Sequence, residues 1–369
     1  MNLHEYQGKE LLNSFGVRIQ RGIVVKTTQE AIDAAKKLHN ETGTDFWVIK
    51  AQIQRAIQGN TKIPDYDALS AVTCGTRSPI TAPPNRAETC TMIIAGEHIY
   101  IVDVGDGSVV NLRNWNIPFN KIKAVFITHM HSDHISDLAD LHLLTWIGTE
   151  RAKKLDVYGP RGIELVTKGF EMSYKHDFLY RNMHHGNLLA PLEVTGYNPI
   201  TVIQESKVLE ENNLRVTAFT VNHSPVEPAF GFRFEYKDRS IVISGDTTIN
   251  DNVIKNAKNA DVLIHEAQSN EMVELARKEL ELNNQITEKL FEDIKDYHTT
   301  PKEAARVAKK AGVDHLILNH LSPAPEGYIA EQIFTRGLSK IFPDWTLAED
   351  GTMVILPANS DEIKITNID

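Results

Sequence analysis

The run AVFITHMHSDH, residues 124–134, changes character halfway along. Its first five residues are mostly apolar and predict a buried strand, after which His129, His131, Asp133 and His134 follow within six residues. His129 and His131 project to the same side while the chain stays extended, and the next turn presents Asp133 and His134 to a second position. Imidazole and carboxylate suit zinc, with manganese or iron as alternatives, so we predict two metal positions. A polar loop that only caps the next helix is the structural alternative.

This H-x-H-x-D-H pattern resembles the signature of the metallo-β-lactamase superfamily. The resemblance implies three further ligands in a set order along the chain. His223 follows an apolar run, Asp246 lies in a Gly turn after a strand, and His320 ends the run Leu-Ile-Leu-Asn-His. Each of the three alone is a common core or turn residue. Their joint occurrence in this order implies a first ion on His129, His131 and His223, and a second on Asp133, His134 and His320, with Asp246 bridging.

A two-metal centre of this kind activates water for attack on an ester. The resemblance therefore implies a hydrolase that uses a metal-bound hydroxide, most simply with two zinc ions. Asp133 is also a candidate to orient or deprotonate the water.

Further motifs are similar to the ribonuclease Z-like branch of that superfamily. They are CGTRSP at residues 74–79, VDVG at residues 102–105, Glu266 in His-Glu-Ala, and His298 in His-Thr-Thr. The branch implies a hydrogen-bonded Glu266–His298 pair beside the metals, with His298 as a general acid worth about 10²- to 10⁴-fold in rate. The structural alternative for Glu266 is a buried carboxylate that only supports the fold. For His298 it is a residue next to a helix cap.

Transfer-RNA-processing members of the branch bind RNA with a protruding basic arm. In this sequence the corresponding stretch is residues 170–201. They are aromatic and histidine-bearing rather than basic, which favours a lid over a small-substrate pocket. We predict Phe178, Tyr180, His184 and His185 as pocket-lining residues, and a packed loop core is the alternative.

These features predict hydrolysis of phosphate diesters or triesters, with promiscuity toward aryl sulfates. Transfer-RNA 3′-end cleavage and lactone or β-lactam hydrolysis are the alternative activities. A non-catalytic protein that kept the fold is the alternative of a different class, and the complete ligand set argues against it.

The bulk composition gives expectations about partners. The 369-residue chain is 41% hydrophobic and carries a formal charge of -10, which argues for a small-molecule ester and against nucleic acid as a partner. No apolar run is long enough to span a bilayer and no signal peptide opens the sequence, so we expect a cytoplasmic protein. The resemblance implies that some relatives are exported. The resemblance adds a homodimer as a candidate assembly. Cys74 and Cys90 are predicted to be buried free thiols rather than a disulfide.

The N-terminal residues 1–53 form a separate unit in the sequence. The stretches MNLHEYQGKELL, RGIVV, AIDAAKKL and WVIKAQI resemble the start of the succinyl-CoA ligase β subunit, an ATP-grasp protein, and the likeness ends before that family's nucleotide loop. We predict a helix–strand–helix–strand fragment that is a fusion passenger, followed by a linker at residues 54–68. A nucleotide-binding module is the functional alternative.

Residues 69–369 are predicted to form the hydrolase domain. Many short strands precede the first long helix, and strands and helices then alternate. This order favours an α/β protein with an αβ/βα sandwich, carrying the short α/β N-terminal appendage.

Overall fold

The computed structural model describes residues 23, 28–43, 63, 67–80, 83, 85–279 and 285–368. The chain divides into two units, Met1–Gln58 and Gly59–Asp369. In the first unit, helix α1 spans Thr28–Thr42 and corresponds to the second helix of the predicted helix–strand–helix–strand fragment. The other elements predicted for residues 1–53, and most of the predicted linker, lie outside the described residues.

The described part of the second unit is built from strands and helices in mixed order. Its strands are β1 Ala68–Gly75, β2 Cys90–Ala95, β3 His98–Val102, β4 Ile122–Phe126, β5 Leu155–Gly159, β6 Tyr197–Thr201, β7 Ser206–Glu211, β8 Leu214–His223, β9 Val226–Tyr236, β10 Arg239–Ile243, β11 Val262–Gln268, β12 His315–Ser322, β13 Trp345–Leu347, β14 Thr352–Pro357 and β15 Lys364–Asn367. Its α-helices are α2 Ser108–Asn114, α3 Ser132–Ile135, α4 Leu138–Trp146, α5 Ile163–Leu189, α6 Asp251–Asn256, α7 Asn270–Glu279, α8 Gln285–Asp293, α9 Pro301–Ala311 and α10 Gly327–Phe334.

The strands form two sheets that pack face to face. One sheet has the order β15-β14-β1-β2-β3-β4-β5-β6 and the other β13-β12-β11-β10-β9-β8-β7. Apolar side chains of both inner faces share one core, in which the ring of Phe126 lies 5.3 Å from Phe232 and 5.5 Å from Phe234. Helices cover each outer face with a further apolar cluster. The predicted αβ/βα sandwich is confirmed.

Parallel strands position the chemistry at one edge of each sheet. Strands β3, β4, β5 and β6 run parallel in the first sheet, and β10, β11, β12 and β13 do so in the second. Segments that leave the carboxyl ends of such strands meet at the same edge. The loop after β4, the turn after β10 and the ends of β11 and β12 are therefore placed to converge.

Cys74 and Cys90 form a disulfide, so the prediction of two free thiols is wrong. The two residues lie on the adjacent antiparallel strands β1 and β2, with their Cα atoms 4.9 Å apart. That separation lies in the range a disulfide requires. Strand register, which the residue spacing of 16 does not reveal, brings the two sulfurs together.

Residues 170–201 form mainly helix and strand, whereas the sequence predicted a lid. Helix α5 continues to Leu189 across a kink at Gly186, where φ is 71°, and β6 then forms the edge of the first sheet. An edge strand tolerates Pro199, which lacks a backbone donor. Sequence analysis also missed β7, β13 and β15, because short strands at sheet edges have weak alternation. Among the residues that the structure describes, no helix is both long and apolar enough to cross a membrane.

Candidate metal centre and active site

The loop after β4 is the base of the site. His129, Asp133 and His134 are 0%, 4% and 1% exposed, although all three are polar. Gly105 allows this packing, because a Cβ at that position would lie 2.2 Å from the backbone oxygen of Asp133. The Gly in the VDVG stretch is therefore required by the close approach of the two loops.

A first cluster contains His129, His131, His223 and Asp246, whose ligand atoms all lie within 4.8 Å of one another. His129 Nε2 is 2.9 Å from His131 Nδ1, and His223 Nε2 is 3.5 Å from that same His131 nitrogen. Asp246 Oδ2 lies 3.9 Å from the Nε2 atoms of both His129 and His223. Three imidazoles and one carboxylate thus converge on one point.

A second cluster contains Asp133, His134 and His320. The Nε2 atoms of His134 and His320 lie 3.5 and 3.2 Å from Asp133 Oδ2. They lie 3.4 and 3.3 Å from Asp246 Oδ2. The same carboxylate oxygen of Asp246 therefore faces both clusters, and the structure brings all seven predicted ligands together.

The backbone of His320 is distorted where it enters this cluster. The β11–β12 register pairs Glu266 with Asn319 and Ala267 with Leu321, so His320 is the extra residue of a β-bulge. Its φ is 44°, a left-handed conformation that costs energy for a residue with a Cβ. Bulges re-aim side chains next to active sites, and here the bulge directs His320 toward Asp133 and Asp246.

Asp103 orients His134 from behind. Its Oδ2 accepts hydrogen bonds from His134 Nδ1 at 2.9 Å and from the Thr128 hydroxyl at 2.8 Å, and its Oδ1 accepts from the Thr128 backbone N–H at 2.8 Å. A proton on Nδ1 leaves Nε2 with a lone pair for a metal. Sequence analysis noted the VDVG motif but assigned Asp103 no role. Its place just after β3 was the available signal.

His223 is held in the same way by a backbone group. Its Nδ1 donates to the carbonyl oxygen of Tyr297 at 3.0 Å, which leaves Nε2 facing the first cluster. The Tyr297 ring packs 4.8 Å from the His223 ring and 4.6 Å from the His298 ring. Sequence analysis did not identify Tyr297 at the site.

Glu266 and His298 form a hydrogen-bonded pair at the edge of the clusters. His298 Nδ1 lies 3.1 Å from Glu266 Oε1, which also accepts from the backbone N–H groups of Thr247 and Thr299. A nitrogen of His298 lies within 4.8 Å of ligand atoms of Asp246 and His320. Burial opposes the charged form of His298, but the Glu266 carboxylate outweighs it and raises the pKa of His298. A protonated imidazole beside the clusters could donate a proton to a departing group.

The electrostatics differ between the two clusters. Burial lowers the pKa of His129 well below its ordinary value, and the neighbouring His134 adds to the effect. Burial acts on His134 in the same direction. Asp246, Asp103 and Asp133 outweigh it and raise the pKa of that imidazole well above its ordinary value. Three carboxylates around one buried imidazole make a negative site that a divalent cation would neutralise.

The distances between the ligand atoms also fit divalent ions. Ligand atoms about 2.0–2.2 Å from one tetrahedral ion lie roughly 3.3–3.6 Å apart. The contacts of His134 and His320 with Asp133 and Asp246 span 3.2 to 3.5 Å. Buried His134 Nε2 has no hydrogen-bond partner, as a nitrogen kept for a metal would require.

The four residues predicted to line a pocket lie elsewhere. Phe178 is buried against Trp146, with ring centroids 5.3 Å apart, in a small cluster beneath α5. Tyr180, His184 and His185 are exposed on the same helix. None of the four lines the cavity next to Asp246 and His320. The structure gives Phe178 a packing role, because helical periodicity turns it toward α4.

A family model described as a beta-lactamase superfamily domain matches residues 98–321. The chain therefore belongs to this superfamily and is a hydrolase with the metallo-β-lactamase fold, which implies divalent metal ions. Its curated relatives within the superfamily include proteins named Ribonuclease Z. The Mycobacterium bovis protein is 32% identical over 260 residues, which cover 69% of this chain and 87% of the relative. The Mycobacterium avium protein is 30% identical over 252 residues, which cover 68% and 85%.

Solved structures show the same fold. The metallo-beta-lactamase fold protein YhfI from Bacillus subtilis aligns with a TM-score of 0.56 at 22% identity, covering 78% of this chain and 99% of YhfI. The short form of human tRNase Z aligns with a TM-score of 0.53 at 22% identity, with the same two coverages.

These relatives correct one expectation from the sequence. Proteins named for RNA cleavage match most of the second unit, so the expectation that nucleic acid is not a partner is wrong. Net charge averages over the whole surface and therefore does not exclude a local site for a phosphate backbone. A second family model, described as an ATP-grasp domain, matches residues 2–65.

Proposed function

We propose that this protein is a dinuclear zinc-dependent phosphodiesterase that cleaves RNA at the 3′ end of transfer-RNA precursors. The observation that carries the proposal is the Glu266–His298 pair placed beside two converging ligand clusters. The similarity to proteins named Ribonuclease Z, which spans 87% of the Mycobacterium bovis relative, supports RNA as the substrate class.

Each cluster would hold one ion. His129, His131 and His223 would hold the first, and Asp133, His134 and His320 the second, with Asp246 shared. Two bound zinc ions would supply Lewis-acid activation of water and of the scissile phosphodiester. Asp133 belongs to the second cluster and is our candidate to orient the attacking water or accept its proton.

His298 would complete the reaction at the other side of phosphorus. Hydrolysis adds water to phosphorus, breaks a phosphorus–oxygen bond and expels a ribose oxygen that needs a proton. The raised pKa of His298 keeps a proton available, and Glu266 holds the ring in position. Proton delivery to the leaving oxygen is the role we assign to His298.

A substrate panel tests the proposal. The zinc-loaded full chain is assayed with a precursor transfer RNA, an aryl phosphodiester, a phosphotriester, an aryl sulfate and a lactone. We expect efficient RNA cleavage that Asp246→Asn abolishes and that Asp251→Asn, an exposed carboxylate on α6, leaves unchanged. Efficient turnover of a small ester with no RNA cleavage would overturn RNA as the substrate class.

The acid role has its own test. We expect His298→Ala to lower RNA cleavage by about 10²- to 10⁴-fold, the usual contribution of a general acid. An aryl phosphodiester releases a phenolate that is stable without a proton, so its turnover should fall much less. Equal losses on both substrates would show that His298 positions the substrate instead of donating a proton.

For residues 1–53 we propose a passenger, an ATP-grasp fragment of the succinyl-CoA ligase type, joined by a linker at residues 54–68. The ligand clusters lie wholly within the second unit, which supports this proposal. Deletion of residues 1–53 should leave zinc stoichiometry and RNA cleavage unchanged. Loss of zinc binding in a folded deletion variant would refute it.

A further inference from the structure

A small cavity adjoins the second ligand cluster. Its volume is about 20 Å³, and its walls include Thr91, Glu266, Asn319 and His320. The rest of the lining includes the ligands His134 and Asp246 and apolar side chains of the sheet interior such as Ile264. The lining therefore combines ligands with Asn319 and Glu266, and the cavity extends from the second cluster toward those two residues.

Besides His134 Nε2, which faces the second cluster, three buried polar atoms of the cavity walls have no hydrogen-bond partner in the protein. They are Glu266 Oε2, Asn319 Oδ1 and His320 Nδ1. Their residues are 3%, 5% and 4% exposed. Buried polar atoms are nearly always paired, with protein or with an internal water, so three such atoms around one cavity indicate a bound group.

We propose that one internal water molecule binds in this cavity and joins His320 to Glu266 and Asn319. The hydrogen-bonding capacities match. When His320 Nε2 faces a cation, its Nδ1 carries the proton and donates to the water. The water then donates its two hydrogens to Glu266 Oε2 and Asn319 Oδ1, which gives it the three bonds typical of internal water.

Asn319 is oriented for this role. Its Nδ2 donates to the Thr91 hydroxyl at 3.5 Å, which directs Oδ1 away from Thr91. Asn319 also precedes His320 directly, at the bulge that re-aims the imidazole. Asn319 is therefore a positioning residue that acts through the water on His320.

The water has two consequences for the site. It holds the His320 tautomer whose Nε2 lone pair points toward Asp133 and Asp246, at 3.2 and 3.3 Å. It also links the second cluster to Glu266, whose other oxygen holds His298. The inference rests on the two-ion part of the proposed function and is independent of the substrate.

Crystallography of the zinc-loaded full chain gives the first test. We expect electron density for one ordered water within hydrogen-bonding distance of Glu266, Asn319 and His320. A collapsed cavity with a direct contact between His320 Nδ1 and either acceptor would overturn the proposal, and so would absent density at a resolution that shows other internal waters.

Zinc affinity gives the second test, by competition with a chromophoric chelator. Asn319→Leu fills the volume but removes the acceptor, whereas Asn319→Ala leaves room for another water to replace it. We expect Asn319→Leu to weaken the second ion about 10-fold or more, in line with other groups that orient metal ligands, and Asn319→Ala to weaken it less. Ile264→Val, a change of packing alone on the same wall, should leave the affinity unchanged.

The variant of Asn319 that loses more zinc affinity shows whether Asn319 acts through the water or has a purely structural role. A purely structural role predicts the larger loss for Ala, because Ala leaves the larger void. That order, or no change in either variant, would overturn the proposal. A wild-type protein that binds one zinc ion only would refute the proposed dinuclear function instead, and the stoichiometry from the same titration reports it.

Discussion

Two histidine-bearing segments of this protein differ in what surrounds their imidazoles. Residues 129–134 hold three histidines after the buried strand β4, and residues 176–185 hold three on helix α5. In the first segment His134 is 1% exposed and its Nδ1 is bonded to Asp103. In the second, His184 and His185 are exposed, and their rings contact each other at 4.5 Å. Burial and a fixed second nitrogen, more than histidine density, distinguish His134 as a candidate ligand.

The largest expected effect comes from the carboxylate that both clusters share. Asp246→Asn keeps the shape but removes the charge that faces four imidazoles. We expect the loss of at least one zinc ion, and RNA cleavage lower by more than about 10³-fold, because metal stabilisation of the transition state is worth several kcal/mol. Zinc stoichiometry by elemental analysis and cleavage of precursor transfer RNA measure the two effects. Full zinc content in the variant would contradict the distinction between the two histidine-bearing segments, residues 129–134 and 176–185.

A smaller effect is expected at Asp103, which fixes His134 from behind. Asp103→Asn preserves the side-chain volume, and Asn tolerates the φ of 57° at this position. The new amide group can donate to His134 Nδ1, which would shift the proton of the ring to Nε2 and block metal binding there. We expect the affinity of the second ion to fall about 10- to 100-fold. Chelator competition measures it, and unchanged affinity would show that the second nitrogen need not be fixed.

His142 is a buried histidine outside the two ligand clusters, so it shows the effect of burial on a histidine pKa without a metal site. It is 1% exposed and its Nε2 accepts a hydrogen bond from the backbone N–H of Gly196 at 2.8 Å. Burial, with Arg151 and Lys154 adding to it, lowers the pKa of His142 from 6.5 to about 3. Between those pH values the unfolded chain binds a proton that the folded chain does not. This contribution to stability is complete above pH 6.5 and is lost as the pH falls toward 3.

His142→Gln keeps an acceptor for Gly196 and removes the titration. Its free energy of unfolding should fall less steeply with acid than that of the wild type, by up to about 1.4 kcal/mol per pH unit in this window. Urea denaturation across the window measures the difference. Parallel pH profiles for the two proteins would mean that folding does not lower the pKa of His142.

The smallest effect is expected in the exposed segment. The double change His184→Ala and His185→Ala should alter stability by no more than about 0.5 kcal/mol, as surface substitutions do, and leave the zinc stoichiometry unchanged. Thermal unfolding and elemental analysis check this. A lost zinc ion would show that exposed histidines of α5 reach a metal, against the placement in the fold.

Sequence patterns predicted the sandwich and the strands that lead into the site. Apolar runs before residues 129, 223, 246 and 320 identify strand ends, and all four are placed at one convergent edge. Asp103 was missed because one aspartate after one strand carries no distinctive spacing. Phe178 was assigned to a pocket because composition does not tell which face of a helix turns inward. The disulfide was missed because only the pairing of β1 with β2 brings its sulfurs together.

The sequence by itself determined that His129, His131, Asp133 and His134 could serve as ligands, since residue type and spacing within one loop are local properties. The resemblance to the superfamily implied the other three ligands, His223, Asp246 and His320. The sequence also determined the fold class, through the order of strands and helices. The resemblance implied that Glu266 meets His298, and the structure places the two side chains 3.1 Å apart. Tertiary structure alone decided that Asp103 fixes His134. Those contacts depend on the register of strands and the packing of two sheets. The bulge that turns His320 toward Asp133 arises from the same register.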